Sequence, residues 1–366
     1  MDKIKGIQSA GHHLEIAVGN FQPPSPQPLQ TSDWIAMSAI QKAIRRGRTD
    51  LALQAATTLL QQSPERLWRR LACIAFEDVG LGHLDLVKLV TAAMAGKRVR
   101  APLGGEWAVA SYLTTKMAEA TKCRGADDLL LVAENHPLYE SHRMELGFST
   151  TQQLIEVLTT SERWAVRALA AWFLLGTDRR PSPRLTRRRG DIVSLFAALG
   201  EILPADLVEI AHEGYRRSGE VLPILMALLA PHLQLELTSM KDDDMPAEVM
   251  VGPIPGWCID LYTRPGRAVL AKFIEGSTRS ARWVRLHIPP RKRVEFLGTI
   301  IFRLEGQCVQ RRLRWPLADE LRRATDYECN GQHCPDATEI LALARADLGE
   351  LNAIRAQLME ASSHVS

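Results

Sequence analysis

The sequence has few aromatic residues and no long apolar run, and both absences narrow the class of protein. Aromatic residues make up 6% of the chain, and no apolar run approaches the roughly 20 residues that a membrane-spanning helix requires. The opening stretch MDKIKGIQSAGHHLEIAVGNF lacks the apolar core of a signal peptide. The six cysteines are scattered and do not form a disulfide framework. We therefore expect a cytoplasmic protein with no membrane partner.

The sequence also lacks the loop with which ATPases hold nucleotide phosphates. GxxxxGK[ST] does not occur, and the Gly96–Lys97 pair is followed by Arg98, with no glycine five positions earlier. No nucleophile motif of the G-x-S-x-G type occurs either. We therefore predict that the protein is not an enzyme, and we assign it no catalytic residues and no cofactor.

Residues of metal-ligand type cluster at one place, where Cys329, His333 and Cys334 form the pattern C-x3-H-C. Structural zinc requires four ligands, usually from two spaced pairs, and the nearest further candidate is Cys308. The alternative is a loop with incidental thiols. Because a second ligand pair is missing, we predict no metal site.

The positive charge is concentrated in the carboxyl-terminal third. The whole chain carries a net charge of +3, but residues 264–323 hold 15 Lys and Arg against 5 Asp and Glu. Such a section is suited to a polyanion. We expect its arginines to contact nucleic-acid phosphates while Trp283 and Trp315 stack on unpaired bases. The predicted nucleic-acid-binding residues are Arg279, Arg282, Arg285, Arg291, Lys292, Arg293, Arg311, Arg312, Arg314 and Trp315.

The alternative for this section is a solvated helix face that binds nothing. The tryptophans would then pack inward, and the arginines would pair with Glu295, Glu305 and Glu320. The local charge excess exceeds what these three carboxylates can neutralise.

Apolar residues recur at helical spacing along most of the chain, which predicts an all-α fold. Within residues 64–96, one apolar stripe ends at Gly80 and a second begins after Asp85, so two helices should form an antiparallel hairpin. Glu77 and Asp78 fall just before the turn. Adjacent helical side chains diverge by about 100°, so we interpret this acidic pair as bonding to backbone or arginine near the helix end, not as an acid–base or metal pair.

Further helices follow from the same periodicity. The clearest are predicted at 34–46, 51–60, 106–121, 126–135 and 290–313, with five more between 150 and 233 and a long amphipathic one after 336. For Thr299–Phe302, β-branched residues leave a strand open as an alternative.

Three segments carry a resemblance to a known family. They read AIQKAIRRGRTDLALQAATTLLQQ, RRLACIAFEDVGLGHLDLVKLVTAA and YLTTKMAEATKCRGADDLL. The middle one is similar to a family pattern of RRL, apolar residues, S-E-D-I-G and A-D-P, with Phe76 in place of the serine. The first parallels K-S-I-R and D-P-D-A-A-L, with its loop reduced to residues 48–50, and the third parallels Y-L-A followed by P-K-S-N-A. Together they cover about residues 33–135 and resemble the helical region beyond the ATPase module in the replication-associated recombination protein A (MgsA and Werner-helicase-interacting) family of AAA+ ATPases.

This resemblance implies that the chain contains the helical collar region of such an ATPase but lacks the ATPase module. The implied fold is a collar-like bundle of antiparallel helical hairpins, and the implied assembly is a homo-oligomer. The oligomer-interface residues that it suggests are Trp68, Leu71, Phe76, Glu77 and Asp78.

Composition changes along the chain suggest its domain organisation. Four prolines lie within QPPSPQPLQ, six arginines within RRPSPRLTRRR, and an acidic stretch reads KDDDMPAE. We predict a flexible arm at 1–30, a collar-like helical domain at 31–178, a basic linker at 179–190, a helical continuation at 191–248 and a basic helical domain at 249–366.

These observations favour a non-enzymatic, DNA-associated, oligomer-forming or scaffold protein of DNA replication, recombination or repair. The alternative is a protein-interaction module that docks onto a separate AAA+ ATPase or clamp-loader-like partner without binding DNA. A third interpretation is an enzyme whose site lies around Cys258, Asp260, Tyr262 and Arg264, because the Asp260–Gly266 cluster has no other assignment.

Overall fold

A computed structural model describes residues 6–328, 334 and 336–363. Within them, helices α1–α10 are Gly6–Gly19, Asp33–Arg45, Thr49–Gln62, Pro64–Ile74, Leu84–Ala93, Lys97–Arg100, Gly105–Glu119, Gly125–Asn135, Glu140–Phe148 and Thr151–Thr160. Helices α11–α20 are Trp164–Leu175, Ile192–Ile202, Ala205–Ser218, Leu222–Leu229, Arg264–Glu275, Arg279–His287, Arg293–Ile301, Pro316–Tyr327, Ala337–Ala346 and Leu348–Ser363.

Strands make a minor contribution. They are β1 Ser239–Lys241, β2 Met250–Val251, β3 Ile254–Pro255 and β4 Arg312–Arg314. β1 pairs antiparallel with β4, and β2 pairs antiparallel with β3. The predicted all-α class is confirmed. No described helix is both long enough and apolar enough to cross a membrane.

The chain divides into two compact units, each assembled from three separated segments. Unit 1 consists of Met1–Pro23, Leu71–Lys241 and Arg311–Gly331. Unit 2 consists of Pro24–Arg70, Asp242–Gln310 and Gln332–Ser366. The predicted domains are consecutive in sequence, so these discontinuous units are a different description of the chain. The chain passes from unit 1 to unit 2 between Lys241 and Asp242, within the acidic stretch that the sequence suggested as a boundary.

Unit 1 is built around α8, which packs against α11, α14 and α18. Its residues Leu129, Val132 and Ala133 recur at helical spacing and are buried. The arginine-rich stretch 179–190 also lies within unit 1. There the indole N–H of Trp172 donates to the carbonyl of Arg180 at 3.1 Å, so this stretch is a loop tied to α11.

The predicted flexible arm is wrong for Gly6–Gly19, which form α1. This helix packs against α5 and α13 of the same unit. It buries Ile7, Ala10, Leu14 and Val18, which are spaced by three and four residues. The apolar stripe therefore outweighs the weak helix propensity of a segment that contains three glycines.

Unit 2 contains α2 and α3, which match the helices predicted at 34–46 and 51–60, and the two helices pack extensively. Ser32 caps α2 by accepting a hydrogen bond from the backbone N–H of Ile35. Helices α15, α16 and α17 pack against one another, and α15 also packs against α20. This three-helix group carries most of the basic residues discussed below.

The predicted helix at 290–313 is wrong in its length, because α17 covers nine residues. It continues as a π-helical turn, Phe302–Gly306. The carbonyl of Gly306 accepts a hydrogen bond from Arg45 Nη1 at 2.6 Å, and that of Glu305 accepts one from Arg46 Nη2 at 2.8 Å. These guanidinium groups satisfy carbonyls that have no partner at a helix end, so the helix stops here.

The strand alternative for Thr299–Phe302 is also wrong, since these residues are helical. An extended segment does form further along, as β4. It follows Arg311, which has a positive φ of 56°. Residues 312–314 therefore lie on a strand edge of unit 1, not at the end of a long helix in unit 2.

Candidate nucleic-acid interface

The structure places six of the ten predicted nucleic-acid-binding residues on adjoining elements of unit 2. They lie on α16, on the 3-10 turn Pro290–Lys292 and at the first position of α17. We call these six side chains the basic surface: Arg279, Arg282, Arg285, Arg291, Lys292 and Arg293.

Local sequence explains why the arginines of α16 point outward. The hydroxyl of Thr278 accepts a hydrogen bond from the backbone N–H of Ala281 and so begins the helix. Ala281, Trp283 and Val284 form the buried side of α16. Arg279 and Arg282 are three residues apart, so they share the opposite, exposed face.

Hydrogen bonds from three of these arginines to backbone carbonyls hold the elements of the basic surface in place. Arg282 Nε donates to the carbonyl of Ser277 at 3.0 Å, and Arg285 Nη1 donates to that of Gly276 at 2.7 Å. Arg293 Nη2 in turn donates to the carbonyl of Arg285 at 2.7 Å. The start of α17 is therefore held beside α16. Arg285 and Arg293 are half-buried and shape the surface, while the other four are exposed.

The exposed cations of the basic surface are not neutralised by ion pairs with described carboxylates. Within the part of the chain that the structure describes, Arg279, Arg282, Arg291 and Lys292 form no ion pair. The alternative partner Glu305 is buried against Arg355, at 2.8 Å from Arg355 Nη2. The basic surface therefore presents positive charge to solvent.

The other four predicted residues lie in unit 1 and do not belong to this surface. Arg312 and Trp315 are buried, with exposed fractions of 5% and 2%. Arg314 Nη2 donates to Asp319 Oδ2 at 2.9 Å, while Arg311 is exposed. The section that looks uniformly basic in the sequence is thus divided between two units.

The prediction that tryptophans stack on bases is wrong. Trp283 and Trp315 are 6% and 2% exposed, so neither offers an open ring face. The indole N–H of Trp283 donates to Glu339 Oε2 at 2.8 Å. The alternative of a solvated helix face was right on this point, because it placed both tryptophans in the interior.

The predicted oligomer-interface residues are also wrong as a contact set, because the single chain already buries most of them. Trp68, Leu71, Phe76 and Asp78 are between 0% and 5% exposed, so they have almost no surface left to bury against another copy. Glu77 is half-buried and bonds within the chain.

Glu77 and Asp78 hold a turn through one arginine, which confirms the interpretation made from the sequence. They lie in the π-helical turn Ala75–Val79. Arg124 Nη1 donates to both carboxylates, at 3.2 Å for Glu77, and its Nη2 donates to Asp127. Burial lowers the pKa of Arg124, but the surrounding carboxylates outweigh burial and raise it well above the ordinary value. Gly80 follows with φ +45°, as its position at the helix end predicts.

The residues of the third interpretation do not converge on one reaction site. Asp260 is buried and pairs with Lys42, whose Nζ lies 2.6 Å from Asp260 Oδ2. Burial raises the pKa of the Cys258 thiol to about 12, so it is not an ionised nucleophile at neutral pH. Tyr262 and Arg264 are exposed to solvent. Lys42 was missed in the sequence because it lies more than 200 positions from its partner.

The described residues include a cavity but no cluster of side chains placed to hold a metal ion. Among the described residues, no group of three or more His, Cys, Asp and Glu side chains is placed to hold a metal. Cys329 and His333 of the C-x3-H-C pattern lie outside those residues. A cavity of about 280 Å³ in unit 1 is lined by apolar residues such as Leu317 and by His136 and Glu328, whose Nε2 and Oε2 are 2.7 Å apart.

No family model, curated protein or solved structure matches this chain.

Proposed function

We propose that this protein binds nucleic acid, chiefly DNA, through the basic surface of unit 2, and that it acts without catalysing a reaction. The observation that carries the proposal is the set of exposed cations on α16 and the turn that follows it, for which no described carboxylate acts as an ion-pair partner. Phosphates are the partner that such a set fits, since they provide repeated negative charge.

The position of two of these arginines supports a binding role. Arg279 and Arg282 occupy the first turn of α16, and this turn contains no acidic residue. Cations are disfavoured there by the helix macrodipole. The charges of these side chains therefore do not stabilise the helix through its dipole, whereas an anion would be attracted to both the arginines and the helix start.

A binding experiment with matched charge removal tests the proposal. Fluorescence anisotropy of a labelled DNA oligonucleotide would compare the parent with Arg279→Ala/Arg282→Ala/Lys292→Ala. We expect affinity to fall roughly 10- to 100-fold near physiological salt, because the variant has three fewer cations with which to neutralise phosphates.

The control removes the same charge from exposed arginines of unit 1, as Arg179→Ala/Arg187→Ala/Arg189→Ala. It should bind within a few-fold of the parent. Equally weakened binding in both variants would mean that net charge alone, and not the basic surface, attracts DNA.

Self-association and a role in DNA replication, recombination or repair are the second part of the proposal, and they rest on the resemblance across residues 33–135. Since Trp68, Leu71 and Phe76 are internal, any interface between copies has to use other residues. Light scattering at micromolar concentration tests this part: a multimer supports it, and a monomer at every concentration would leave only the DNA-binding part.

The competing candidate is a module that docks onto a separate AAA+ ATPase or clamp-loader-like partner. In that case the exposed arginines would face an acidic protein surface. The same anisotropy titration separates the two candidates, because a docking module would show no salt-dependent binding to DNA.

A further inference from the structure

Leu286 is an exposed apolar side chain in the middle of the basic surface. It is 80% exposed, although it lies in the last turn of a well-packed helix. Arg279, Arg282 and Leu286 follow at spacings of three and four residues, so they share the exposed face of α16. Two exposed prolines, Pro289 and Pro290, come directly after the helix. This face therefore combines cations with rigid apolar groups.

The backbone around Leu286 is fixed on both sides. Arg293 Nε donates to the carbonyl of Ile288 at 2.8 Å, and its Nη2 donates to that of Arg285 at 2.7 Å. Arg285 itself is tied to the carbonyl of Gly276 at 2.7 Å. These bonds hold the end of α16, so Leu286 is presented from a fixed position.

The surroundings of Leu286 favour DNA over a protein as its partner. Leu286 lies in sequence between the exposed cations Arg282 and Arg291, which have no ion-pair partner among the described residues. A face of this kind attracts a polyanion such as DNA more strongly than a protein surface of mixed charge. Proteins that bind the minor groove of duplex DNA combine these two features: cations contact the backbone, and an apolar side chain such as Leu or Pro enters a base step. A single strand is a poorer fit, because Trp283 is buried and offers no stacking platform.

We propose that Leu286 is a wedge that inserts between base pairs of duplex DNA from the minor groove, while the basic surface holds the phosphates on either side. The wedge unstacks one base step, and the DNA bends away from the protein toward its major groove. This inference rests on the proposed function and narrows its ligand to duplex DNA that bends.

The test measures binding and bending separately on the full chain. Anisotropy gives affinity, and energy transfer between dyes at the two ends of a duplex gives the bend. A 2-aminopurine base in the duplex reports unstacking. The variants are Leu286→Ser and, as control, Val193→Ser, which changes an equally exposed apolar residue of unit 1.

The parent and Val193→Ser should bend the duplex by about 20–90° and increase 2-aminopurine fluorescence. Leu286→Ser should still bind, with an unchanged salt dependence, but should show neither the bend nor the fluorescence increase. Binding without a bend in the parent, equal bending by Leu286→Ser, or tighter binding to single strands or to duplex RNA would each overturn the wedge while leaving the proposed function intact. Absence of any nucleic-acid binding would overturn both.

Discussion

Removing the Arg124 guanidinium should be among the most destabilising single changes in unit 1. The side chain is 2% exposed and bonds to Asp78, which is 0% exposed, and also to Glu77 and Asp127. Arg124→Met replaces the guanidinium with an uncharged side chain of similar length, so Asp78 becomes a buried carboxylate without its cation. Breaking a buried ion pair in this way costs about 3–5 kcal/mol.

Two further variants show whether the cost comes from the orphaned carboxylate. In Arg124→Met/Asp78→Asn, the buried negative charge is also removed, so we expect the double variant to be more stable than the sum of the single changes predicts, by about 1–3 kcal/mol. The control is Lys116→Met, since Lys116 pairs with Glu119 at 2.9 Å on the surface of α7. Removing this surface pair should cost at most about 1 kcal/mol.

Urea denaturation followed by circular dichroism provides the free energies of unfolding, with the transition slopes compared among all variants. A cost for Arg124→Met no larger than that of Lys116→Met would refute the reasoning, because the buried carboxylates would then not depend on this arginine.

Three other predictions use the same structure. Burial raises the pKa of Asp128 from 3.8 to about 6, so the folded state binds its proton more tightly, and the contribution of Asp128 to stability should fall by about 3 kcal/mol as pH rises from about 4 to 6. The stability difference between the parent and Asp128→Asn should change by that amount across this range in urea denaturation, and a constant difference would contradict the reasoning. Cys258 is buried and its raised pKa keeps it a thiol. A thiol reagent at pH 8 should therefore label the half-buried Cys73 and Cys334 before Cys258, which should react only after unfolding, and equal rates in the native protein would contradict this. Gly80 has φ +45°, and an added Cβ would lie 2.6 Å from the carbonyl oxygen of Cys123. Gly80→Ala should therefore lower the free energy of unfolding by at least about 1 kcal/mol, and an unchanged melting temperature would count against the observed turn.

Local sequence was enough to predict most helices and the turn at Gly80. Helical spacing of apolar residues decides which face is buried, and this information lies within each segment. The same spacing was present in α1, at Ile7, Ala10, Leu14 and Val18. The prediction for this segment was wrong because the prolines after it were used to assign all of residues 1–30 to a flexible arm. Gly6–Gly19 instead form a helix with one buried apolar side.

The features that the sequence did not reveal depend on contacts between distant positions. The end of α17 is fixed by Arg45 and Arg46, which lie about 260 positions earlier in the chain. The partner of Asp260 is Lys42, for the same reason. No local pattern indicates such pairings, so neither the short α17 nor the structural role of Asp260 followed from periodicity.

The sequence accounts for part of the arrangement at the candidate site. Of the ten residues chosen for their charge and aromatic neighbours, six lie on adjoining elements of unit 2, and their binding role stays a prediction. The direction of a tryptophan, however, is set by tertiary packing. Trp283 and Trp315 therefore turned inward, although their neighbours in sequence are arginines.

The central claim is that the basic surface binds nucleic-acid phosphates, and the salt dependence of DNA binding tests it most directly. The slope of log affinity against log salt concentration should be steep for the parent and smaller by about 2–3 units for Arg279→Ala/Arg282→Ala/Lys292→Ala, at about 0.9 unit for each phosphate that the variant no longer neutralises. An identical slope and affinity in that variant would contradict the claim and favour a surface that faces solvent or a protein partner.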